Sequence, residues 1–183
     1  MKPSYRTATF RTFLFSLLVF FICSANSGIC QGWGKNEIWL LPDSSFAVVE
    51  VKDGRKIRHC PHHDANGSLD VEQLIYVLGA LDNEEWVDQK NRKTAEKHLT
   101  NHYDKFIAGV MKKGLHGSVN INRAGLTELV ALPRIGPVLA VKIIAYREAH
   151  YSFISIEEIK KIDGIGPGTF NAIRYYIRTG GRS

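Results

Sequence analysis

The apolar residues fall into four patterns along the chain. The first is an unbroken run, Thr12 to Cys23 (TFLFSLLVFFIC), preceded by Lys2, Arg6 and Arg11 with no acidic residue. A bilayer-spanning helix needs about 20 apolar residues, and this run is shorter. The small-x-small triplet Ala25-Asn26-Ser27 follows it. Basic, apolar, then small is the layout of a secretory signal peptide, read here as residues 1–27 with the mature chain beginning near Gly28. An uncleaved membrane anchor and a buried N-terminal helix are the alternatives. Ile22 and Ile29, just before Cys23 and Cys30, are too bulky for a lipoprotein cleavage site.

The second pattern is alternation. Phe46 to Val51 is β-branched and alternating, Asp53-Gly54 is a tight-turn pair, and Lys56 to Cys60 returns as a partner strand. The third is helical. Asp70 is an N-cap with Gln73 three residues on, and Leu74, Val77, Leu78 and Leu81 line one face. A longer helix is expected from about Asn91 to Lys113, ending at Gly114.

The fourth is a repeat. Leu129-x-x-Leu132-x-x-Ile135-Gly136-Pro137 recurs 30 residues on as Ile159-x-x-Ile162-x-x-Ile165-Gly166-Pro167, and Ile143 and Tyr146 recur as Ile173 and Tyr176. Each copy predicts a short helix, a tight turn and a second helix with Pro at its first position, where a missing N–H costs nothing. Asn122 is the expected cap of the first copy. Ser155 with Glu158 is the expected capping box of the second.

Charge separates these regions. The 183 residues hold 24 Lys and Arg against 18 Asp and Glu. Residues 28–114 carry 12 basic and 13 acidic groups, whereas residues 115–183 carry 9 and 5, a net of +4. The positive excess of the mature chain therefore lies in the repeat, which points to a polyanion partner there. The composition, 44% hydrophobic and 23% charged, excludes disorder, collagen-like repeats and a multi-span membrane protein.

Candidate chemistry in residues 28–114 centres on His59 to Asp64 (HCPHHD) and on His98 and His102, four apart on the long helix. Such a pair is a common zinc half-site, and Cys60, His62 and His63 are candidates for the remaining ligands. Surface and capping histidines, with Cys60 in a disulfide to Cys30, are the competing reading, since an oxidising compartment lets two cysteines pair. Metal and disulfide compete for Cys60. A calcium loop around Gly67 is disfavoured, because His62 and Gln73 fall where carboxylates are needed. Nothing here assembles a nucleophile, a base and an oxyanion site, so no enzyme is expected and no cofactor is required.

In the second repeat, Gly164 permits a positive φ and Gly166 lets the backbone approach another molecule closely. The amides of Gly166, Gly168 and Thr169 then project from a helix N-terminus as a phosphate site. The repeat puts Ile135, Gly136 and Val138 where Ile165, Gly166 and Gly168 stand, so both turns, with Gly164, are expected to contact the nucleic acid. Arg134 replaces Gly164, and in a left-handed turn it costs about 1 kcal/mol or more unless the turn relaxes. Its side chain, with Lys142 and Arg174, is a candidate phosphate contact. Two such hairpins across a groove predict sequence-independent binding of duplex nucleic acid. Without that partner, the repeats would be a helical packing unit only.

Residues Ser118 to Ile177, with VNIN, the LPxIGP turn, YRE and the GIGP turn in order, resemble the tandem helix-hairpin-helix domain of the ComEA family of competence proteins. The resemblance implies an exported or membrane-tethered receptor for double-stranded DNA in DNA uptake, with envelope uptake proteins as partners. The whole chain is thus expected to be mostly α. A small α+β segment (28–114, a β-hairpin plus two or three helices) would precede the tandem helix-hairpin-helix domain (115–183), in an extracytoplasmic or periplasmic protein. The alternative is an envelope protein-interaction or metal-binding module with the hairpins as scaffold.

Overall fold

The computed structural model describes residues 38–114 and 117–180. The signal-peptide segment and Cys30 lie outside the described residues. Strands β1 (Phe46–Lys52) and β2 (Arg55–Pro61) form the expected antiparallel hairpin, in register Val48↔His59 and Glu50↔Ile57. Asp53 (φ 51°) and Gly54 (φ 74°) are both left-handed. That is the combination a two-residue turn needs to match the twist of the strands.

Helix α1 (Val71–Gly79) starts at Asp70, whose carboxylate accepts from Gln73 N at 2.9 Å. Leu74, Ile75 and Val77 are its buried residues. Helix α2 (Gln89–Lys113) begins two residues before the expected start, because Asp88 caps it by accepting from Lys90 N. It ends at Gly114, which takes φ 73°. No helix among the described residues is long and apolar enough to cross a membrane.

The C-terminal unit contains β3 (Val119–Asn120), α3 (Leu126–Val130), α4 (Pro137–Ala149), a 3-10 helix (Ile156–Lys161), α5 (Pro167–Ile173) and β4 (Ile177–Arg178). Strands β3 and β4 pair in parallel and tie its two ends together. Two capping expectations are corrected here. Gly125, not Asn122, is the N-cap of α3. Asn122 instead accepts from Phe153 N at 2.7 Å and donates to the carbonyls of Phe153 and Thr179, clamping the inter-repeat link to the C-terminal strand. The first helix of the second repeat is 3-10, and the Ser155 hydroxyl makes no cap bond. Glu158 reaches back one residue beyond the cap, accepting from Ile154 N at 2.8 Å.

One core continues from the first segment into the second. Ile75 of α1 is buried among Leu126, Leu129, Ile143 and their neighbours, while Leu74, Val77 and Leu81 pack with Cys60, Ala95 and Leu99 on the other side. The Glu72 carboxylate accepts from Leu126 N, Thr127 N and Thr127 Oγ1 at 3.1, 3.1 and 2.6 Å. A carboxylate from α1 thereby satisfies amides at the start of α3, which Gly125 cannot do because it has no side chain. Gly79 lets α1 touch α4. A Cβ there would lie 2.7 Å from the Pro137 carbonyl oxygen and 2.8 Å from Val141 Cγ2.

Candidate functional site

The two hairpins repeat each other bond for bond. Leu132 N donates to Leu129 O and Ile135 N to Leu132 O in the first; Ile162 N donates to Ile159 O and Ile165 N to Ile162 O in the second. Gly136 (φ −93°, ψ −178°) and Gly166 (φ −82°, ψ −178°) take the same extended conformation before Pro137 and Pro167. The first intrahelical donors are Ala140 N, to Gly136 O, and Phe170 N, to Gly166 O, each at 3.0 Å. The amides one turn earlier, Val138 and Leu139 in α4 and Gly168 and Thr169 in α5, have no carbonyl a turn before them. A Cβ on Gly136 or Gly166 would meet nothing within 4 Å, so the backbone there is open to close approach.

Arg134 resolves the departure in the first turn. It holds φ 65°, matching Gly164 at φ 95°, so the turn keeps its shape around a non-glycine residue. Its guanidinium crosses to the second hairpin, where Nη1 would lie 3.3 Å from a Cβ on Gly168. Arg134 is exposed and has no ion pair among the described residues. A full positive charge and the positive end of α5 thus face the same solvent, an arrangement that an anion would neutralise. Gly164 is needed on two grounds: its left-handed φ, and Leu139 Cδ2, which would lie 2.9 Å from an added Cβ.

Other expected contact residues fall differently. Ile135 and Ile165 are 3% and 2% exposed. Their amides are already bonded to Leu132 and Ile162, so they anchor the turns and offer a ligand neither side chain nor N–H. Val138 is half exposed beside the first turn. Lys142 is engaged rather than free, donating to Asp163 Oδ2 at 2.9 Å and to Asp163 O at 3.1 Å. That bond holds the Asp163 carboxyl below its ordinary range. Arg174 is exposed, with its guanidinium 4.6 Å over the Tyr175 ring. Glu72 and Asn122 also support the site, each through atoms more than thirty residues away in sequence, a pairing that local spacing does not signal.

The histidines form a second constellation. One nitrogen from each of His62, His63, His98 and His102 lies within 4.8 Å of all the others. His62 is fully buried, its Nδ1 2.9 Å from the Cys60 carbonyl and its Nε2 3.0 Å from His98 Nε2. His63 Nδ1 is 2.9 Å from the Gly67 carbonyl. Burial pushes His62 down to about 4 and also lowers His98 and His102, with neighbouring imidazoles adding to the effect. Cys60 is not in this group. It is 1% exposed in the core with no disulfide partner among the described residues, and burial pushes the thiol up to about 12. Its backbone takes φ 56°, so the strand twists at Cys60, sending the thiol inward while His62 and His63 meet α2. His59, also in the HCPHHD run, stands apart, with Nε2 2.8 Å from Glu50 and its ring stacked on Trp86.

The repeated turns, their Gly-Pro helix starts and the buried isoleucines define a helix-hairpin-helix unit, and residues 116–178 match the family model described as the helix-hairpin-helix motif. Within it, 59 residues are 48% identical to ComE operon protein 1 of Bacillus subtilis (strain 168), covering 32% of this chain and 29% of that protein. The C-terminal region is homologous to that part of the relative. Endonuclease/exonuclease/phosphatase family domain-containing protein 1 of Rattus norvegicus and of Mus musculus are 36% and 34% identical over 59 residues, 32% of this chain and 10% of each relative. The chain spans less than a third of the length of these curated relatives. No solved structure matches.

Proposed function

We propose that the C-terminal unit binds double-stranded DNA through its phosphates, without sequence preference, in an exported, non-enzymatic receptor that acts in DNA uptake. The observation that carries the DNA reading is the convergence of the unpaired Arg134 guanidinium and the open amides of α5 on one exposed surface. Contacts from amides and guanidinium to phosphate carry no base information, so affinity should be indifferent to sequence. The net charge of +4 over residues 115–183 favours the same partner. Kinship with ComE operon protein 1 and the signal-like residues 1–27 support export and uptake.

The test is a salt titration of the full chain on two unrelated duplexes, because α1 contributes to the core and cap of the C-terminal unit. Equal affinities are expected, with a log–log slope of about −3.6 if about 4 phosphates are neutralised. A shallower slope means that amide dipoles outweigh Arg134. Absence of binding at about 50 mM salt, where electrostatic association is favoured, returns the hairpins to a packing role in an envelope interaction module. Export is tested by intact-mass measurement on the envelope fraction. Cleavage between Ala25 and Gly28 is expected, a full-length membrane product indicates an anchor, and a full-length cytosolic product overturns the localisation.

A further inference from the structure

We propose that His62, His63, His98 and His102 form an all-imidazole site for zinc that fastens the end of the β-hairpin to α2. Helix geometry puts His98 and His102 on one face, and the loop after β2 lays His62 and His63 against them. Five of the ring pairs have centroids 4.5 to 5.4 Å apart and interplanar angles of 58° to 75°, so these rings meet edge-on or tilted rather than stacked. That leaves their nitrogens turned toward a common centre.

The outer bonds of the cluster select the tautomer. A carbonyl only accepts, so Nδ1–H of His62 donates to Cys60 O and Nδ1–H of His63 donates to Gly67 O. Each then presents Nε2 inward with a free lone pair, the way ligand imidazoles are held at metal centres. His62 Nε2 and His98 Nε2 are 3.0 Å apart, two lone-pair sites that need a proton or a cation between them. A tetrahedral zinc with bonds of about 2.0 Å sets its ligands about 3.3 Å apart; the His62–His98 pair is already at 3.0 Å, and no pair of the four nitrogens exceeds 4.8 Å, so small side-chain rotations would close the site. No carboxylate belongs to the cluster, which disfavours calcium and magnesium, whereas imidazole suits zinc. Four protein ligands fill the coordination sphere, the mark of a structural rather than a catalytic ion.

The consequence is mechanical. Asp70 N donates to His62 O, so the histidine loop leads directly into the cap of α1, the helix that carries Glu72 to the first hairpin.

The test uses the full chain, stripped with a chelator and titrated with cobalt(II) as a spectroscopic stand-in for zinc. One equivalent should generate the visible d–d bands of a tetrahedral site, and one equivalent of zinc should bleach them. His98→Ala and His102→Ala, both on the outer part of α2, should abolish the bands with the circular dichroism unchanged, while His150→Ala, outside the cluster, should keep them. Loss of structure on stripping that zinc restores would equally support the site, since binding energy is then folding energy. No tetrahedral band in the wild-type chain, or bands that survive in both helix variants, overturns the proposal.

Discussion

Arg134 joins a backbone cost to a binding charge, and the two can be separated. A left-handed non-glycine residue costs about 1–2 kcal/mol, and glycine gives back about 0.5–1 through its freer unfolded chain. Arg134→Gly should therefore leave stability unchanged or raise it slightly while weakening binding to every duplex, read by denaturant melts and by anisotropy. Gly166 is the complementary case. Its φ of −82° and the open space around it admit a side chain without strain. Gly166→Leu should fold normally yet lose about 1–3 kcal/mol of DNA affinity by blocking approach to the amides.

Glu50 governs acid stability at the same scale. It is buried but accepts from Asn91 Nδ2 and from the amides of Val87 and Asp88. Although burial alone would raise it, these bonds and His59 hold its carboxyl down at about 2. The sign follows: a depressed folded value stabilises above the unfolded one, so the contribution is intact at neutral pH and is lost as pH falls from about 4.5 towards 2. Glu50→Gln should cost about 2 kcal/mol at pH 7 and flatten the decline in acid, measured by urea melts at several pH values.

Among the elements, α1 is the hinge between sequence and site. It belongs by sequence to the first segment, yet Ile75 sits in the C-terminal core and Glu72 caps α3. Glu72→Ala should destabilise the chain by about 1–2 kcal/mol, the usual loss for a helix cap, in a thermal or denaturant melt. Gly79→Ala sets two effects against each other. Helix propensity favours alanine by about 1 kcal/mol, but the Cβ would press into the backbone of α4. Backbone cannot swing aside as a side chain can, so the clash should win and net destabilisation is expected in the same melt.

Across the whole molecule, charge is already partly committed before any ligand arrives. Lys142 spends its ammonium on the second turn through Asp163, whose side chain is otherwise almost fully exposed. Asp163→Asn should release that charge to solvent, tighten DNA binding and steepen the salt slope by about 0.9 for one added phosphate contact. An unchanged slope would place Lys142 outside the contact surface.

The amino-acid sequence determined whatever depends on near neighbours. Alternation with Asp53-Gly54 gave the hairpin, Asp70 the start of α1, Gly114 the end of α2, and the 30-residue repeat both helix-hairpin-helix turns, because propensity, capping and turn chemistry act within a few residues. It also marked the histidines as candidates, since an i, i+4 pair is visible in one dimension. Tertiary structure decided what depends on chain reversal. Cys60 turns into the core while His62 and His63 meet α2, Asn122 gives up its expected cap to clamp Phe153 and Thr179, and Arg134 reaches the opposite hairpin. Each of these pairings is set by how helices and turns pack, and spacing along the chain does not encode which distant carbonyl or amide a side chain will meet.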